Sequence, residues 1–117
     1  MMALGRGSLF ADIPRKLPTE ISTVLAAGDD ARIERIVSRG HTTAPEEWHE
    51  QDEDEWVLLV TGAARLDLAD GESINLGPGD WINLPAGLQH RVSWTTPNIE
   101  TIWLTVFWPP RAASAID

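Results

Sequence analysis

The stretch Gly79-Asp80-Trp81-Ile82-Asn83-Leu84-Pro85-Ala86-Gly87-Leu88-Gln89-His90 constrains this chain more than any other. Pro85 and Gly87 set a tight turn between two short runs, so the segment reads as strand, corner, strand. Beyond the corner, alternation places His90, Val92 and Trp94 on one face of the second strand. A histidine held just past a rigid corner suits a metal ligand.

A matching element lies upstream, at His49-Glu50-Gln51-Asp52-Glu53-Asp54-Glu55, with Gly62 following. His49 and Gln51 share a strand face, and Glu55 has the same parity as it opens the apolar run Trp56-Val57-Leu58-Leu59-Val60. Between Glu46 and Glu55 seven residues of ten are acidic. Six of them read as a solvated rim, and only Glu55 is singled out, by its spacing to Gly62 and its parity with His49.

Short runs of strand character recur along the chain at 32–38, 48–50, 56–61, 64–68, 73–76, 81–84, 89–95 and 100–108. They are punctuated by Gly40, Gly62, Asp70-Gly71, Gly77-Pro78-Gly79, Pro85-Ala86-Gly87 and Pro97-Asn98. Such spacing predicts an all-β sandwich or barrel. Residues 1–30 read as an N-terminal arm with one short helix, opened by Pro18-Thr19, carrying Ile21, Val24 and Leu25 on one face and closed by Gly28. Residues 31–110 form the barrel. Residues 111–117, after Pro109-Pro110, form a loose tail.

Composition narrows the function. The 117 residues make one domain, and 43% apolar residues are enough for a core. The net charge of −9 repels phosphate backbones, so the chain is not expected to bind nucleic acid. No apolar run reaches the about 20 residues of a membrane span. No signal peptide is apparent, and the absence of cysteine removes disulfides and thiolate chemistry. The expected location is the cytoplasm.

The two motif stretches together resemble the two conserved motifs of the cupin superfamily. Gly79, Pro85, Gly87 and His90 fit the second motif, with Trp94 where the family has Asn. His49, Glu55 and Gly62 fit the first, with Gln51 replacing the second histidine and Gly40 lying eight residues before His49 instead of five. The resemblance covers residues 40–94. It implies a double-stranded β-helix jelly roll and one divalent metal ion (Fe, Mn, Ni or Zn), held by His49, Glu55 and His90 as a facial two-histidine, one-carboxylate set. Gln51 is then a weak fourth ligand, a hydrogen-bond partner of a metal-bound water or substrate, or a purely structural residue.

With Glu55 and His90 facing inward, Val57, Leu59, Val92 and Trp94 face inward as well and make a mostly apolar pocket. Trp48, Trp56, Trp81 and Trp103 have the opposite parity and are expected to pack between sheets or against a second subunit. Outward Trp56, Leu58 and Val60 leave an apolar stripe that predicts a homodimer. Arg91 points away from the pocket, toward an acidic neighbour.

Two functions follow. One is a metal-dependent enzyme acting on a small, partly apolar, oxygen-bearing substrate; the resemblance implies dioxygenase, isomerase or lyase chemistry without selecting the catalytic residues. No inward Arg or Lys cluster is evident, which disfavours a sugar phosphate. The other is a non-catalytic small-ligand-binding or sensor protein, with or without metal.

Overall fold

The structure, a computed structural model, describes residues 4–110; the expected loose tail at 111–117 lies outside the described residues. Eight strands follow one another: β1 Ile21–Ala27, β2 Arg32–Ser38, β3 Asp54–Thr61, β4 Ala64–Leu68, β5 Ser73–Leu76, β6 Trp81–Leu84, β7 His90–Thr95 and β8 Thr101–Trp108. They form two antiparallel sheets, a five-stranded one in the order β1-β2-β8-β3-β6 and a three-stranded one in the order β5-β4-β7. Facing sheets of this kind make the jelly roll expected from the sequence. Among the described residues no helix is long and apolar enough to cross a membrane.

The core lies between the sheets. Val57 and Leu59 of β3, Leu84 of β6 and Trp103 of β8 meet Ala64 and Leu66 of β4 and Leu76 of β5. Leu59 is wholly buried, a burial that stabilises by about 1.5–3 kcal/mol. A smaller cluster covers the other face of the large sheet. There Leu17 packs on Val37 and Ile102, joined by Leu9, Ile13, Ile21 and Val60. Arg35 fastens this wrapping arm, its Nη1 donating to the carbonyls of Leu9 at 3.2 Å and Ala11 at 2.6 Å.

Two elements depart from the sequence expectation. The helix expected over 18–28 is the strand β1. Ile21, Thr23 and Val24 are β-branched and favour extended backbone. The helix-like spacing of Ile21, Val24 and Leu25 arises from a bulge: Val24 pairs with Glu34 and Ala26 with Ile33, leaving Leu25 as the extra residue. The strand expected at 48–50 shrinks to a single bridge between His49 and His90.

Gly62 closes the β3–β4 turn at φ +94°, and a Cβ built there would lie 2.3 Å from Thr101 Oγ1 and 2.6 Å from Thr101 Cα. Thr101 is fully buried, so the backbone itself would have to move. Gly87, at φ +84°, has open space around its missing Cβ. Gly62→Ala should therefore cost about 3 kcal/mol or more through strain and clash together, and Gly87→Ala about 1–2 kcal/mol through strain alone. Urea unfolding of the two variants checks this, and equal losses would show that the Thr101 contact is not what demands glycine at position 62.

Candidate functional site

His49 and His90 exchange two backbone hydrogen bonds, N–H to carbonyl, at 2.8 and 3.0 Å. This is the hydrogen-bonded pair of an antiparallel ladder, and it puts both side chains on one face. Their ring centroids stand 5.9 Å apart, tilted by 39°. The turn after β6 is clamped to the loop before β3. The Gly87 N–H donates to the Gln51 carbonyl at 2.8 Å, and the Ala86 N–H donates to Asp54 Oδ1 at 2.8 Å. These contacts set where β3 begins and so where Glu55 points.

Glu55 enters from the large sheet, paired on one side with Phe107 and on the other with Leu84. Its Oε1 lies 3.7 Å from His90 Nε2 and accepts a hydrogen bond from the Gln51 side-chain amide. The other ring nitrogen of His90, Nδ1, lies 3.1 Å from the Leu88 carbonyl. A carbonyl can only accept, so this contact calls for a proton on Nδ1, and Nε2 faces the cavity. Glu55 and His90 are both more than nine-tenths buried. Burial raises the Glu55 carboxyl above its ordinary 4.5; the Gln51 hydrogen bond and the attraction of His49 oppose this shift.

The chamber above these groups has a volume of about 230 Å³. The structure brings His49, Gln51, Glu55 and His90 into it together, with Val57 and Val92 on its apolar walls. Leu59 does not line it but lies in the core behind. Trp94 is 41% exposed and points away from the chamber. The reason is a second bulge: Leu66 pairs with Val92 and Arg65 with Trp94, so Ser93 is extra and the parity of β7 flips beyond it. Trp103, expected to pack between sheets or against a second subunit, is buried between the sheets and lines the chamber with Thr105 and Phe107. Both faces of β8 are apolar, so alternation alone could not orient it. Glu20 just before β1, Ser22 of β1, and Glu34 and Ile36 of β2 complete the wall without any signal in the two motifs. Arg91 points away and meets Asp67 at 3.5 Å.

The donors fit a divalent ion by kind, two imidazoles and a carboxylate. A hydrogen bond from the far ring nitrogen to a carbonyl, as at His90, commonly steadies a ligating imidazole. Among the described residues, however, no three His, Asp or Glu side chains stand close enough together to hold an ion as they are placed. Gln51 lies on the Glu55 oxygen that an ion would need.

Two antiparallel sheets around an apolar chamber with a buried polar floor define a jelly-roll barrel. The family described as the cupin domain matches residues 33–107, and the chain belongs to it. A Ralstonia eutropha JMP134 protein named a "putative mannose-6-phosphate isomerase" is 39% identical. The match covers 89% of this chain and 97% of that one, with a TM-score of 0.85. A cupin superfamily protein of Desulfitobacterium hafniense DCB-2 is 21% identical, with a TM-score of 0.71 over 92% of this chain and 94% of its own. KdgF from Halomonas sp. is 24% identical, with a TM-score of 0.67 over 86% and 89%. These last two share the fold. Among curated proteins none matches.

The buried carboxylate gives a pH signature. Its proton is released first in the unfolded chain, so the stability linked to Glu55 falls as pH rises from 4.5 through its raised folded value. Above that window the penalty is constant, and below it the penalty is absent. With chelator present, Glu55→Gln should be more stable than wild type at pH 8, and the gain should vanish near pH 4. Denaturant midpoints at the two pH values check this; no gain at pH 8 would mean that the neighbours of Glu55 fully offset its burial.

Proposed function

We propose that this cupin is a metal-dependent enzyme acting on a small, partly apolar, oxygen-bearing substrate, with His49, Glu55 and His90 as ligands of one divalent ion. The observation that carries the reading is the convergence of those three side chains on the chamber floor, with His90 Nδ1 committed to Leu88 and Nε2 turned inward. When bound, the ion supplies Lewis-acid polarisation of a substrate carbonyl or enolate oxygen.

The chain's own residues do the rest. Val57, Leu66, Leu84, Val92 and Phe107 exclude water from the substrate's apolar part. The volume of about 230 Å³ is below the about 300–1,000 Å³ of drug-sized pockets and sets a small substrate. The Gln51 amide, released from Glu55, is placed to donate to a substrate oxygen. Isomerisation is the chemistry we favour, since the Ralstonia protein, similar over nearly its whole length, is named as an isomerase.

Metal affinity tests the reading. In chelator competition wild type should bind one ion per chain, and His90→Ala should lose it while keeping its β-sheet circular dichroism. Gln51→His should tighten binding about tenfold or more, at about 1.4 kcal/mol per decade, because imidazole is the better donor to these ions. A wild type that binds no divalent ion would overturn the metal assignment and favour a metal-free ligand-binding protein, a reading supported by the hold of Gln51 on Glu55.

We also propose that two copies pair through the outer face of the large sheet. The arm covers Val60, but Trp56 stacks on Trp81 at 6.1 Å between ring centroids, and Trp81 is 60% exposed. Leu58, Leu104 and Val106 extend the same apolar rows across β3 and β8. Light scattering should give twice the 12.9 kDa chain mass, and Trp81→Glu should shift it toward the monomer. A monomer for wild type at micromolar concentration would refute the pairing.

A further inference from the structure

The chamber's ionisable lining, apart from its histidines, is entirely acidic. Glu20, Glu34 and Glu55 face it, and no Lys or Arg does. A neighbouring cavity of about 380 Å³ shares Glu20 and His49 with it and adds Glu47, again without Lys or Arg. Carboxylates thus line both cavities, where low-dielectric walls strengthen their field.

The nearest cation, Arg32, is withdrawn from service. Its Nε donates to Glu34 Oε2 at 2.6 Å and its Nη1 to Glu53 Oε1 at 2.7 Å. Its guanidinium lies over the Phe107 ring, 4.1 Å from the centroid. An anionic ligand would have to share Arg32 with Glu34 and Glu53. Glu34 is largely buried, with its side chain 14% exposed; its charge opposes ionisation of Glu55, and that of its partner Arg32 favours it.

Geometry separates the two ends of the chamber. Glu34 of β2 pairs with Thr105 of β8, and Thr105 with Val57 of β3, so Glu34 stands two strands across the sheet from the β3 residues beside Glu55. The His49–Glu55–His90 floor lies on the β3 side and Glu34 on the β2 side, while Glu20, bonded to Ser38, lines the neighbouring cavity together with His49.

We propose that the chamber selects a ligand bearing an ammonium group, with Glu34 as the specificity-determining residue. Resting on the reading of this chamber as the ligand site, the ligand presents oxygen atoms to the histidine end and its ammonium group to Glu34. Phosphorylated ligands are turned away by the same carboxylates. Attraction for one class and repulsion of the other come from one set of charges.

The test compares mannosamine, mannose and mannose 6-phosphate, three probes of one ring skeleton that differ in charge. Affinities are measured by calorimetry on the manganese-loaded full chain at low and high salt, with metal content followed separately by chelator competition. Mannosamine should bind at least tenfold tighter than mannose 6-phosphate, with mannose between them, and salt should narrow the gap. Glu34→Gln should weaken mannosamine several-fold and improve mannose 6-phosphate, with manganese still bound. Glu20→Gln, at an exposed position that leaves the Arg32 pairs intact, should move the preference the same way by less, and it serves if Glu34→Gln does not fold. Equal or tighter binding of mannose 6-phosphate, or no binding of mannosamine at tens of millimolar, overturns the proposal. Loss of charge preference with manganese still bound counts against this inference alone. Failure to load manganese while the preference persists counts against the metal reading alone.

Discussion

The reciprocal backbone hydrogen bonds between His49 and His90 are the constraint on which the rest of the site depends. They are a single ladder rung in an otherwise irregular segment, since residues 39–53 contain no strand. Without that rung His49 would sit on a loop with no fixed direction. With it, two imidazoles share one face at a set separation, as cross-strand neighbours do. The clamp of Gly87 on the Gln51 carbonyl and of Ala86 on Asp54 then fixes the path into β3. The polar floor is thus positioned by main-chain bonds, with the side chains free to serve a ligand.

That floor is costly to the fold. A largely buried carboxylate is held against its desolvation by one amide and by nearby histidine. An apolar residue at position 55 would complete the surroundings of Phe107 and Leu84 and extend the core. Groups that lower stability and persist at a cavity floor are the usual mark of a site kept for chemistry. Asp54 contrasts with its neighbour. It sits in the same acidic run yet accepts the Ala86 N–H, so part of what reads as solvated rim is a structural fastener.

The sequence was legible where period and punctuation agree. The strands β2, β4, β5 and β6 fall at the residues expected, each bounded by glycine, proline or Asp-Gly, and the cupin resemblance rested on spacings fixed by those same turns. It was illegible where one residue breaks the period. The extra Leu25 made a strand look helical, and the extra Ser93 turned Trp94 outward when simple alternation put it in the chamber. A bulge leaves no compositional trace in a single chain, since its cause is the pairing of the partner strand. In β8 the obstacle was different. Trp103, Thr105 and Phe107 face in while Leu104, Val106 and Trp108 face out, and with apolar residues on both sides only the pairing of Phe107 with Glu55 orients the strand.

The unequal sheets explain why the wall facing the floor comes from the chain's early strands. Five strands lie over three, so the inner face of β1 and β2 has no opposing sheet to bury it. β1 is exposed along nearly its whole length, and Glu34 and Ile36 of β2 are only partly covered. Residues on that overhang can change without opening a void in the core, whereas Val57, Leu66 and Leu84 cannot. The fold therefore divides the labour. β3 and β7, tied by the turn and the histidine rung, carry the groups suited to chemistry, and the overhanging strands carry the groups that decide which ligand is admitted. Glu34 lies at the junction, on β2 and close enough to influence Glu55.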